Sequence, residues 1–164
     1  MQKLNHMSTR LLRVTAVAAA IALSLLSAGV WAHSGASGII KERMEAMKSM
    51  GAAMKATGAM ISGKQAYDAE KIREAARAIG KHASETVELF PDTEESRNLH
   101  ISEAAPAIWE KKDDFTALAL ELAKTSEQLA QNAGSEDKKL VIENFKAVGG
   151  ACKTCHERFR IKKD

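Results

Sequence analysis

The chain has 164 residues, of which 45% are hydrophobic and only 4% are aromatic, with two prolines and two cysteines. This length fits one domain, and no repeat, low-complexity tract or second domain is evident. The formal net charge is +3, from 24 basic and 21 acidic side chains. Abundant alanine and scarce proline favour helix along most of the chain.

Residues 1–32 have the pattern of a signal peptide. A basic segment precedes an apolar stretch over 14–30, and the small residue Ala32 predicts cleavage before His33. The basic residues of this segment are Lys3, Arg10 and Arg13. The alternative is a single transmembrane anchor, but the apolar stretch is short for a span and rich in alanine.

Cleavage leaves residues 33–164 as the mature domain, with equal numbers of acidic and basic side chains. The net positive charge of the whole chain therefore belongs to the export signal. It does not indicate a nucleic-acid partner, and we expect none.

The first two segments of the mature chain have the apolar spacing of amphipathic helices. The first runs from about residue 39 to 61. Its heptad seam comprises Ile40, Met44, Met47, Gly51, Met54, Gly58 and Ile61. The second begins after Asp68, a good N-cap, and is predicted to continue until Pro91 stops it. Its seam comprises Ile72, Ala76, Ile79, Ala83, Val87 and Phe90.

Two further helices follow a longer connection. The third begins near Asp113 and ends at Asn132-Ala133-Gly134. Its apolar face comprises Phe115, Leu118, Leu122, Thr125 and Leu129. Ser135 is predicted to cap the fourth. The seam of the fourth comprises Val141, Phe145, Val148, Cys152, Cys155 and Phe159. The pattern predicts an all-α, antiparallel four-helix bundle with a cofactor between facing helices.

The two cysteines stand in the sequence Cys152-Lys153-Thr154-Cys155-His156, the attachment signature of a c-type haem. On a helix these three side chains share one face, so two thiols and one imidazole can converge on one macrocycle. A redox disulfide usually lies in a βαβ context, and no strand pattern precedes this motif. A zinc site needs about four ligands, and no second Cys/His pair is present. We therefore predict one covalent haem c per chain on the last helix.

With this motif near its C-terminus, the chain resembles the class II c-type cytochromes, the cytochrome c-prime family, over about residues 37–162. Four stretches carry the resemblance: Gly149 to Arg160, Arg43-x-x-x-Met47-Lys48, Leu89-Phe90-Pro91, and Trp109.

The resemblance implies thioether bonds at Cys152 and Cys155, with His156 as the proximal iron ligand. It also implies that Arg160 lies near a propionate or the proximal imidazole, and Arg43 near the propionates. By residue type alone, either arginine is more often a solvated surface charge.

The family has two branches, which differ on the distal side of the iron. One leaves this side open to small gases, and the other supplies a methionine from helix one. Met47 stands at the deciding position, so the resemblance implies the low-spin branch with Met47 and His156 as ligands, a pair that raises the haem potential. A seam methionine can also be packing, and Met44 is the second choice. Ligation by His82 or His100 has no support in their spacing.

We therefore expect a periplasmic electron carrier without enzymatic activity, since no catalytic acid–base pair is evident. The expected partner is a periplasmic or membrane-bound redox protein, and the resemblance adds a homodimer through helices one and two. Lys153 could steer an acidic partner, or be solvated surface. The rival functions are a five-coordinate haem protein that binds nitric oxide or carbon monoxide, and a haem-free helical interaction module.

Overall fold

The computed structural model describes residues 36–161, so the predicted signal peptide of residues 1–32 lies outside the described residues. Four long helices and one short helix make up the described part. Their bounds are α1 Gly38–Ile61, α2 Ala69–Glu85, α3 Ala107–Glu110, α4 Lys112–Asn132 and α5 Lys138–Phe159. The long helices are α1, α2, α4 and α5, and they confirm the predicted all-α four-helix bundle.

Capping residues explain where two of these helices begin. Asp68 is the N-cap of α2, as predicted, and its carboxylate accepts hydrogen bonds from the backbone N–H groups of Glu70 and Lys71. The prediction that Ser135 caps α5 was wrong, because Asp137 is the N-cap and accepts from Lys139 and Leu140. The Ser135 hydroxyl instead accepts from the backbone N–H of Asp137, which shapes the turn before the helix.

The end of α2 and the connection after it also differ from the prediction. The α-helix ends at Glu85, and the chain tightens into a 3₁₀ turn over Thr86–Leu89 before Pro91. Helices often tighten in this way at their last turn. The short helix α3 was not predicted, because a single turn after Pro106 is too short to show a period.

The buried face of α1 is rotated relative to the predicted seam. Met44 is 41% exposed and Gly51 is also exposed, whereas Met47 and Met54 are half-buried. The buried residues are Ile40, Arg43, Ala46, Met50, Thr57 and Met60. The prediction was wrong at Met44 and Gly51 because Arg43 and Thr57, which are polar, face inward. Apart from Ile40, which is fully buried, the other residues of the predicted seam lie at the edge of the core or in solvent.

The core consists of two clusters. The larger joins α1, α2, α4 and α5, and its buried members are Met50, Met60, Ile72, Ala76, Ile79, Leu129, Ala130, Ala133, Val141 and Val148. The smaller, which we call the aromatic cluster, comprises Phe90, Ala104, Ile108, Phe115 and Phe159. Cys155 packs against the aromatic cluster, so this cluster supports the end of α5 that carries the haem motif.

The connection between α2 and α4 is fixed to the end of α5. The backbone N–H of Ala105 donates to the carbonyl of Phe159 at 3.0 Å, and Ile161 donates to Glu103 at 2.8 Å. These bonds hold the long connection beside the last turn of α5, next to the haem motif.

Candidate haem-binding site

The haem motif occupies the last two turns of α5. Cys152 and Cys155 are free, half-buried thiols, and burial raises the pKa of both. Burial lowers the pKa of His156, and the nearby Arg160 lowers it further. The imidazole is therefore neutral at physiological pH, which is the form that binds a metal. Two protonated thiols and one neutral imidazole are thus grouped at the same end of one helix.

Helix α1 runs alongside α5 in an antiparallel register that two contacts define. A Cβ at Gly58 would lie 3.2 Å from Cζ of Phe145, and a Cβ at Gly149 would lie 3.7 Å from Cε of Met54. A step of four residues back along α1 thus matches a step of four residues forward along α5. Because both helices rise equally per residue, a step of seven residues back from Met54 and of seven residues forward from Gly149 brings Met47 to the level of His156.

Gly58 and Gly51 differ in their surroundings. A Cβ at Gly58 would be in tight contact with Phe145, whereas Gly51, two turns closer to the N-terminus of α1, is exposed, and a Cβ there would meet no atom within 4 Å. The donor set that fits a haem lies on α5, where Cys152 and Cys155 are free, half-buried thiols and His156 is the next residue.

Arg43 is buried rather than solvated, which excludes the surface interpretation for this residue. Its Nε donates to the carbonyl of Leu89, its Nη1 to the carbonyl of Ser96 at 3.0 Å, and its Nη2 to the Ser96 hydroxyl. Burial lowers the pKa of Arg43 to about 10, and the charge of Glu95 opposes this shift. The register that aligns Met47 with His156 also brings Arg43 to the level of Arg160.

Arg160 lies at the exposed end of α5 and forms an ion pair with Glu103 at 2.6 Å. Its positive charge lowers the pKa of His156, four residues earlier in the chain. Sequence reasoning missed Glu103 and Ser96, because both lie in the long connection, where no periodicity indicates which residues face inward.

The other candidates are less well placed. Met44 is 41% exposed, His82 is half-buried on α2, and His100 is exposed in the long connection. Lys153 is exposed and forms an ion pair with Glu157 at 3.6 Å. Within residues 36–161, no group of three or more His, Cys, Asp or Glu side chains is arranged to hold a metal ion.

A helical bundle with Cys-x-x-Cys-His on its last helix defines the class II c-type cytochromes. A family model described as Cytochrome C' matches residues 38–160. The chain belongs to the cytochrome c' family, and the predicted family is therefore confirmed. Proteins of this family hold one covalently attached haem c per chain, which confirms the predicted cofactor.

Individual relatives support this assignment. Cytochrome c-556 of Agrobacterium tumefaciens (strain apple 185) is 37% identical over 123 residues, which cover 74% of this chain and 94% of that protein. Cytochrome c' of Pararhodospirillum photometricum is 34% identical over 121 residues, covering 74% and 94%. The solved structure of cytochrome c' from Rhodopseudomonas palustris has a TM-score of 0.70 at 30% identity, covering 79% of this chain and all of that one.

None of the helices described in residues 36–161 has both the length and the apolar character needed to cross a bilayer.

Proposed function

We propose that this protein is a monohaem electron carrier in which Cys152 and Cys155 hold the haem, His156 is the proximal ligand and Met47 is the distal ligand. The bound haem supplies an iron that cycles between Fe(III) and Fe(II). The observation that carries the proposal is the antiparallel register, which brings Met47 to the level of His156 on the facing helix. A soft thioether and an imidazole suit iron in both oxidation states and raise the haem potential.

Met47 is a better candidate than Met44 for two reasons. Met47 is half-buried, whereas Met44 is 41% exposed and belongs to the edge of α1 that faces solvent. Met44 also lies almost one turn beyond the level of His156. A ligand bond that excludes water requires a side chain directed into the protein, which favours Met47.

A second candidate function is supported by the family itself. Proteins named cytochrome c' are typically five-coordinate and high-spin, and cytochromes c' are among the relatives of this chain. A chain of that type would leave the distal side open to nitric oxide or carbon monoxide. The two functions differ only in whether Met47 ligates the iron.

An absorption spectrum of the exported holoprotein separates these candidates. With Met47 as ligand, the ferric protein shows a far-red charge-transfer band from sulfur to iron and has a low-spin spectrum. Met47→Leu abolishes the band, and the matched variant Met44→Leu retains it. A high-spin ferric spectrum in the wild-type protein would overturn the electron-carrier proposal in favour of gas binding.

We also propose that residues 1–32 are removed on export and that the mature domain acts in the periplasm on a soluble or membrane-bound redox partner. N-terminal sequencing of the periplasmic protein tests the cleavage before His33. A product that retains residues 1–32 would contradict it.

The proposal includes a homodimer that packs through α1 and α2. Small or apolar residues exposed on α1 support it: Met44, Gly51, Ala52 and Ala56. A solved cytochrome c' that is 27% identical to this chain shows dimer dissociation controlled by ligand. Sedimentation of the holoprotein is expected to give a dimer, and Ala52→Glu is expected to give a monomer. A wild-type monomer at high protein concentration would contradict this arrangement.

A further inference from the structure

Hydrogen bonds from Arg43 join α1 to the segment that follows α2. Arg43 lies one turn before Met47, and its guanidinium donates to the carbonyl of Leu89 and to both the carbonyl and the hydroxyl of Ser96. Ser96 is fully buried, so its two bonds with Arg43 are shielded from water. One side chain of α1 thereby holds both ends of the Leu89–Ser96 segment.

The guanidinium of Arg43 lies over the face of Phe90, whose ring centroid is 4.1 Å from Cζ of Arg43. The negative charge of Glu95 also acts on Arg43 and opposes the lowering of its pKa by burial. A buried cation is costly to keep unless such groups compensate it. The planar guanidinium of Arg43 donates to three acceptor atoms at once. It thereby fixes the position of α1 against the connection after α2, which an apolar side chain could not do.

Phe90 continues this link to the haem-bearing helix. The ring of Phe90 meets Phe115 edge-on at 5.0 Å between centroids, and Phe115 meets Phe159 edge-on at 5.3 Å. Phe159 ends α5, and Cys155 packs against the same cluster. A continuous series of contacts therefore runs from the turn of α1 that precedes Met47 to the turn of α5 that carries Cys155 and His156.

We propose that Arg43 is a positioning residue for the distal ligand: by clamping α1 to the aromatic cluster, it sets the spacing between α1 and α5 at which the Met47 sulfur reaches the iron. The proposal rests on Met47 being the ligand. It assigns Arg43 an effect through the position of α1, which is separate from any contact with a propionate.

Three variants distinguish the hydrogen bonds of the guanidinium from its charge. Arg43→Met removes both, and Arg43→Lys keeps the charge without the planar guanidinium. Ser96→Ala removes only the hydroxyl that accepts from Nη2. The readout is the equilibrium uptake of carbon monoxide by the ferrous holoprotein, because carbon monoxide competes with the Met47 sulfur for iron. A weaker bond between Met47 and the iron raises the apparent affinity for carbon monoxide, in proportion to the fraction of molecules in which Met47 is not bound.

We expect Arg43→Met and Arg43→Lys to raise the apparent carbon monoxide affinity by about tenfold or more, as a loosened ligand requires. Ser96→Ala is expected to give a smaller rise and, as the mildest change, keeps the test valid if the arginine variants are unstable. Arg97→Met is the matched control. Arg97 lies over the ring of Trp109 with Cζ 4.8 Å from the centroid, but it pairs with the exposed Asp92 rather than with α1.

The outcomes separate this inference from the proposed function. If Arg43→Lys and Ser96→Ala take up carbon monoxide like the wild type while Met47→Leu takes it up strongly, Met47 is the ligand but the positioning role of Arg43 is refuted. If the wild type already takes up carbon monoxide as strongly as Met47→Leu, Met47 is not the ligand, and the positioning role of Arg43 is refuted as well.

Discussion

Phe145 on α5 packs directly against Gly58 on α1, so closely that a Cβ at Gly58 would lie 3.2 Å from Cζ of the ring. This contact, with that of Met54 against Gly149, sets the register of the two helices. The register in turn places Met47 at the level of His156. The close approach therefore connects the packing at one end of the bundle with the candidate iron ligands at the other.

Gly58→Leu tests this contact. A leucine here overpacks the interface against Phe145, and we expect a loss of about 1–3 kcal/mol in the free energy of unfolding. Gly150→Leu is the matched control, because a Cβ at Gly150 meets no atom within 4 Å. Chemical denaturation of the holoproteins measures both. Equal stability of the two variants would show that α1 and α5 do not meet at Gly58.

Asp137→Ala tests the start of the haem-bearing helix. The carboxylate of Asp137 accepts two backbone N–H bonds at the start of α5, so its loss is expected to cost about 1 kcal/mol. Ser135→Ala removes a single bond in the preceding turn and is expected to cost less. Thermal unfolding of both variants ranks them, and the reverse order would restore Ser135 as the cap.

Tyr67→Phe tests the end of the bundle that lies away from the haem motif. The Tyr67 hydroxyl donates to the carbonyl of Ala133 at 2.6 Å and joins the loop after α1 to the end of α4. We expect the variant to lose about 0.5–1.5 kcal/mol of stability, the usual worth of one hydrogen bond. The absorption spectrum is expected to stay unchanged, and an altered haem spectrum would contradict the separation of these two ends.

Asp68 gives the fold an acid-sensitive component. Hydrogen bonds from the backbone and side chain of Lys71 lower the pKa of Asp68 below its usual value. Its contribution to stability is therefore fully present above the unfolded pKa, about 3.9, and is lost as the pH falls through the lower folded value. Asp68→Asn keeps a capping oxygen without a charge, so its stability is expected to fall less between neutral pH and pH about 3. Parallel stability curves for the two proteins would contradict this role.

The architecture was predictable because it depends on local signals. The helices follow from apolar periodicity and from capping residues such as Asp68, and the haem motif is contiguous in sequence. The inward position of Arg43 was not predictable. An arginine among methionines indicates a surface residue, and only the fold brings Leu89 and Ser96 into position to accept its hydrogen bonds.

The level of Met47 relative to His156 also required the structure. Periodicity placed Met44, Met47 and Met54 on one seam without distinguishing among them. The distinction arises from the rotation of α1, which the burial of Arg43 and Thr57 sets, and from the contacts at Gly58 and Gly149. Both depend on residues that are distant in sequence.

Ligation of the iron by Met47 is tested most directly by carbon-13 NMR of the ferrous holoprotein, labelled at the methionine methyl groups. If the Met47 sulfur ligates the iron, the methyl group on that sulfur would lie over the macrocycle, whose ring current would shift its resonance far upfield. We predict one such resonance, absent from Met47→Leu and retained in Met44→Leu. A spectrum without an upfield methyl resonance, or one in which Met44→Leu removes it, would contradict the account.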